Sequence, residues 1–87
     1  MTNMTINDNK ENERNVILQL RHFYNNGTPI HFKLFSGEWR NAIIRSIDEE
    51  SKKVCIKEFL QGTLEYYFDE IISDSICAYN INHRRAE

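Results

Sequence analysis

Glycine, proline and cysteine are scarce in this chain of 87 residues, with three, one and two copies. Neither terminal segment holds enough glycine, proline or repeated sequence to suggest a specialised low-complexity function. Cys55 and Cys77 lie in apolar stretches without metal-type spacing, which excludes a disulfide scaffold and a zinc ribbon. They are expected to be reduced, buried thiols of an intracellular protein. No apolar run approaches the roughly 20 residues of a membrane helix, and the amino terminus has no signal-peptide stretch, so no membrane association is expected. Positive charge is also short: 11 Lys and Arg against 13 Asp and Glu, a net charge of -2. That argues against a protein whose affinity comes mainly from neutralising phosphates, while leaving room for a local basic patch.

The marks of catalysis are missing too. The chain has no nucleophile–base pairing, no phosphate-cradling glycine loop and no metal-ligand spacing. His22, His31 and His83 are too far apart to suggest a site, and Asp48, Glu49 and Glu50 read as an exposed hairpin rather than a carboxylate cluster. No enzyme activity, cofactor, metal or small-molecule substrate is therefore expected. What is present, 40% hydrophobic and 28% charged residues, suits one small domain. A chain of this length buries only about 60–65% of its unfolded surface, so its core is modest.

Residues 1–12 are polar and Asn-rich and are expected to form a disordered arm; residues 81–87 read as a flexible tail. From Glu13 the pattern turns helical, with Val16, Ile17, Leu20, Phe23 and Tyr24 forming one apolar stripe. Asp8, Asn9 or Asn12 is the expected cap, and Asn25-Asn26-Gly27 before Pro29 the expected stop. A helix of about three turns is not stable alone, so the stripe must dock. Strands are expected at Ile30–Phe35, at Trp39–Asp48 with Ala42, Ile44 and Ile47 inward, and at Val54, Ile56 and Phe59. A fourth follows the turn at Gly62, with Leu64, Tyr66 and Phe68 alternating, and a short fifth covers Ile76–Tyr79. One helix before five short strands predicts a mainly β fold, a small, strongly bent, SH3-like barrel over residues 13–80.

The segment Gly37 to Asp48 resembles the first motif of Sm and Sm-like proteins, with Gly37, Ala42, Ile44, Ile47 and Asp48 at the motif positions. Ala42 stands where the family usually has glycine at a sharp strand bend. The resemblance implies an Sm-like barrel without the family's uridine pocket. Glu49-Glu50-Ser51-Lys52-Lys53 lacks the base-reading Asn, and Ile72-Ser73 replaces the second motif's Arg-Gly. Sm-like proteins lacking that pocket include the Sm-fold Gemin subunits of the SMN complex, which assembles spliceosomal ribonucleoproteins. Ile30-His31-Phe32-Lys33-Leu34 and Asp74-Ser75-Ile76-Cys77-Ala78-Tyr79 are similar to elements of one such subunit, and Phe59-Leu60-Gln61-Gly62 to the third-strand exit of another.

The resemblance implies a scaffold, nuclear and cytoplasmic, that pairs with another Sm-fold protein and further SMN-complex subunits, with no direct contact to RNA. In the Sm family the fifth strand of one protomer adds to the fourth of its neighbour. Leu64, Tyr66 and Phe68 would then line one edge, Ile76, Ala78 and Tyr79 the other, unless they are simply core. Tyr67, on the opposite face, is the better exposed contact, and the helix stripe is a second candidate seat. Two alternatives stay open. One is an RNA-binding Sm-like ring protein. The other is a Tudor-type reader of methylated Arg or Lys, with Trp39, Phe59 and Tyr66 as cage walls. The basic residues Arg40, Arg45, Lys52, Lys53 and Lys57 alternate with acids and read as a solvated barrel face.

Overall fold

The computed structural model describes residues 6–79, with side-chain surroundings from residue 10 onward. Its first element is α1, Ile6–Asn26. The apolar stripe docks as its spacing requires: Val16 and Leu20 are fully buried, and Ile17 and Phe23 pack against the same core. Tyr24, expected on the stripe, is exposed, one step round the helix from Phe23. The helix ends in the two-bond turn that a left-handed glycine permits. Gly27 has φ +65°; its N–H donates to Tyr24, and that of Thr28 to Phe23.

The helix starts earlier than its apolar stripe. Residues 6–12, expected in the disordered arm, are helical, and Asn12 lies inside the helix rather than capping it. Its amide instead reaches across the domain, donating to the Ile71 carbonyl at 2.9 Å and accepting from the Ser73 N–H at 3.0 Å. Gln19, on the same helix face, donates to the Ser73 carbonyl at 2.8 Å. The docked face is thus Asn12, Val16, Gln19, Leu20 and Phe23, partly polar, which is why apolar spacing alone understated it. Residues 1–5 and the expected tail at 81–87 lie outside the described residues. No described helix is long and apolar enough to cross a membrane.

Five strands follow: β1 Ile30–Lys33, β2 Trp39–Asp48, β3 Lys53–Glu58, β4 Gly62–Tyr67 and β5 Cys77–Ala78. They form one antiparallel sheet in the order β4-β3-β2-β1-β5. The inner face carries Ile30 and Phe32 of β1, Ala42 and Ile44 of β2, and Val54 and Ile56 of β3, all buried. A bulge between Ile44 and Ser46 bends β2. The bend brings strands that are not neighbours together. Tyr66 of β4 packs edge-on against Phe32 of β1, with ring centroids 6.3 Å apart. The Tyr66 hydroxyl accepts from Arg40 Nε of β2 at 2.8 Å. The result is a curled but open sheet: among the described residues, β4 and β5 stand at its two ends and do not pair with each other.

Parity explains one correction. Glu58, not Phe59, takes the inward position after Val54 and Ile56, and Phe59 turns outward. Buried Glu58 is satisfied locally, its carboxylate accepting the N–H groups of Leu60 and Gln61 at 2.9 and 2.7 Å. The chain after β4 then seals the lower half of β1. Leu34 bridges Ile71, Phe35 N–H donates to Glu70, and Ile72 N–H donates to Lys33. The Ser75 hydroxyl accepts from the Lys33 N–H at 2.8 Å.

Candidate functional site

Two surfaces stand out, the sheet ends and the outer sheet face. At one end, β4 pairs with β3 through six residue pairs and, among the described residues, with no strand on its other side. The direction of its backbone donors can be worked out. Phe68 N–H donates inward to the Lys52 carbonyl, while Tyr67 N–H turns outward to the chain's own Glu70 carboxylate at 2.9 Å. Donors alternate along an antiparallel strand, so the N–H groups of Thr63 and Glu65 point away from β3. Glu70 blocks the last outward position and leaves two open. At the other end, β5 is two residues long and, among the described residues, pairs only with β1.

The anchors expected along these edges divide. Phe68 is fully buried in a short 3-10 turn after β4, and Ile76 is buried as well, so both belong to the core. Leu64 and Tyr66 are half-buried and pack inward. Tyr67 is exposed, with Lys53 Nζ 5.2 Å from its ring centroid. Ala78 is exposed and Tyr79 half-buried. The helix stripe is occupied by the sheet and offers no seat to a partner; among the described helix side chains, from residue 10 onward, the large exposed apolar ones are Leu18 and Tyr24.

The motif positions have structural work. Gly37, at φ +100°, turns the chain between β1 and β2. Ala42 and Ile44 are buried, and Ile47 packs on the core. The Asp48 carboxylate accepts the N–H groups of Glu50 and Ser51, both at 3.1 Å, and so shapes the β2–β3 turn. Its pKa is lowered, chiefly by the Ser51 backbone N–H. Arg40 is raised, chiefly by its bond to the Tyr66 hydroxyl.

The outer face is where sequence reasoning missed most. Strand pairing sets Lys33 beside Trp39 and His31 beside Asn41 on β1 and β2. His31 stacks on Trp39, rings 4.3 Å apart and 8° from parallel, and its Nδ1 hydrogen-bonds the Asn41 Oδ1. Tyr79 reaches this cluster from beyond β5, 6.4 Å from His31 and 5.5 Å from Phe59. Trp39 and Phe59 each stay 47% exposed. His31 had no visible role in sequence because its partners come from other strands. The methyl-reader cage, by contrast, does not assemble: Trp39 and Phe59 face outward while Tyr66 packs inward on Phe32. Nor is Cys77 buried; it is an exposed free thiol on β5, and Cys55 is a half-buried one.

Charges on the domain are unevenly committed. Arg21 pairs with Glu49 at 2.6 Å, Arg40 with Glu38 at 2.9 Å, Lys52 with Glu13 at 3.5 Å and Lys53 with Glu65 at 3.8 Å. Among the described residues Lys33, Arg45 and Lys57 have no such ion pair. A cleft lined by Glu13, Ser51, Lys52, Tyr67 and Asp69 holds about 120 Å³, well below the roughly 300–1,000 Å³ of small-molecule sites. Among the described residues no cluster of three or more His, Cys, Asp or Glu could hold a metal ion. The fold and its surfaces define a small β-rich domain with an amino-terminal helix. Comparison with known proteins gives no match to a family model, a curated protein or a solved structure.

Proposed function

We propose that this chain is a non-catalytic, Sm-like scaffold subunit that pairs with another Sm-fold protein by adding strand to strand. The observation that carries this reading is the sheet order, which leaves β4 and β5 as the two end strands. These are the strands that join protomers in the Sm family. The helix before five strands and the motif residues around the β2 bend point the same way. Backbone pairing at such an edge supplies affinity, and side chains beside it select the partner. The finer assignment, a Gemin-type subunit of an SMN complex acting in snRNP assembly in cytoplasm and nucleus, rests on the sequence resemblance alone.

The outward N–H groups of Thr63 and Glu65 support pairing along β4, where the Glu70 carboxylate already takes the Tyr67 N–H. Glu65→Pro removes one outward donor and leaves the β3 ladder unbroken, since proline is tolerated on edge strands. The test is the mass of the complex purified from its native cell, with the co-purifying chains identified. A second Sm-fold protein is expected there, and Glu65→Pro is expected to release it while the circular dichroism stays unchanged. Absence of any Sm-fold partner removes the proposal. A six- or seven-membered ring of this chain alone would select the ring reading instead.

A further inference from the structure

We infer, resting on that pairing reading, that the β4 edge selects a basic partner strand and that Glu70 gates it. On β4 and the 3-10 turn that follows, every charged side chain is a carboxylate: Glu65, Asp69 and Glu70. All three are exposed. The nearest cations along this edge, Lys53 and Lys57, stand one strand inward on β3, opposite Tyr67 and Thr63. Lys53 approaches Glu65 only to 3.8 Å, and 61% of the Glu65 side chain stays in solvent. The Asp69 carboxylate has no ion pair among the described residues. A strand added outside β4 meets two rows of side chains. Leu64 and Tyr66 are half-buried and pack on the core, so their new neighbours should be apolar. Thr63, Glu65 and Tyr67 are exposed, and the residue set beside Glu65 lies about 5 Å away at Cβ, where an opposite charge is favourable and a like charge is not. The fitting strand therefore alternates apolar and basic residues.

Glu70 adds a condition. Its carboxylate holds the outward N–H of Tyr67 at 2.9 Å, the donor an incoming strand needs in order to pair past Glu65. The same bond caps the 3-10 turn. An apolar or acidic strand has nothing to exchange for it. A strand that brings Lys or Arg alongside offers the carboxylate a charged partner and takes the N–H with its own carbonyl, so Tyr67 joins Thr63 and Glu65 as a pairing donor. The chain's own end strand does not fit this edge. β5 is two residues long, Cys77–Ala78, and across residues 73–79 the one charged side chain is Asp74. Set against Glu65 and Glu70, that acid repels and no cation of the segment compensates. Charged edges of one sign deter addition of like strands, and here they favour a different chain over a second copy joined through β5.

The test uses three end-blocked heptapeptides, alternating Val with Lys, with Thr or with Glu, titrated into the full chain at low salt. Binding is read from the amide shifts and exchange protection of Thr63, Glu65 and Tyr67. The Val–Lys peptide is expected to protect all three amides and to bind about tenfold tighter than the Val–Glu peptide, a preference that shrinks as salt is added. Glu65→Lys should reverse the order of the two charged peptides. Glu70→Ala should raise affinity for the uncharged Val–Thr peptide by about threefold, because it frees the Tyr67 N–H. Glu70→Gln keeps an acceptor on that N–H; it should leave Val–Thr affinity unchanged and lower the preference for Val–Lys, which separates the gate from loss of the turn's cap. Equal affinity for Val–Lys and Val–Glu overturns the inference, as does a Val–Lys complex in which the Tyr67 amide is unchanged. Protection of none of the three amides by any peptide overturns it too. The pairing reading itself falls on a different result, the absence of any Sm-fold chain among those that co-purify.

Discussion

The inner and outer faces of this sheet are cut from the same strands, residue by residue, and they are built on opposite principles. Inward, Ile30, Phe32, Ala42, Ile44, Val54 and Ile56 are buried and, except for Phe32, aliphatic. Outward, the same strands carry His31, Lys33, Trp39, Asn41, Ile43 and Lys57, none of them fully buried. The inner face gains from close packing against α1, where each lost methylene is felt. The outer face keeps its large rings partly wet, and half-exposed aromatics beside cations add little to the fold. A register slip of one residue would exchange the two faces, so the turns that set register protect both at once.

Substitutions should separate the faces by size of effect. The largest is expected for Phe32→Ala, which empties a fully buried site in the core beside Tyr66 of β4; urea unfolding should show a loss of about 3–5 kcal/mol. Next comes Asn12→Ala, which leaves the Ile71 carbonyl and Ser73 N–H without their partner and should cost about 1–3 kcal/mol. Trp39→Ala tests the other side. It is expected to change stability by less than about 1 kcal/mol, and an effect as large as that of Phe32→Ala would end the contrast between faces.

The smallest effect concerns the register turn. Asp48 is depressed below its ordinary 3.8 in the folded chain, so its contribution is fully present above that value. It is lost as pH falls through the lower folded value. Asp48→Asn removes this acid limb, and the stability difference between wild type and variant should shrink as pH drops below about 4. A difference that stays constant with pH would show that the carboxylate's charge has no part in the turn.

Much of the architecture is legible in sequence where one element's own spacing decides it. Val16 and Leu20, the alternation of Ile30 and Phe32, and the turns at Gly37 and Gly62 all follow from local period and local backbone need. What sequence hides is what another element supplies. Asn12 looks like an arm residue because its partners lie 59 and 61 positions away. Phe59 looks like a core residue because it is large and apolar, yet parity from Val54 gives the inward place to Glu58. Phe68 and Ile76 read equally well as edge anchors or core, and burial decides for core. The His31–Trp39 stack needs the β1–β2 register, which no single strand contains.

The reach of Asn12 and Gln19 to Ile71 and Ser73 has a further consequence. The first element of the chain and one of the last share hydrogen bonds, so neither end can open without exposing the other. In hydrogen exchange, the Ser73 amide should report the same opening event as the middle of α1, although a two-residue β5 lies nearby in sequence.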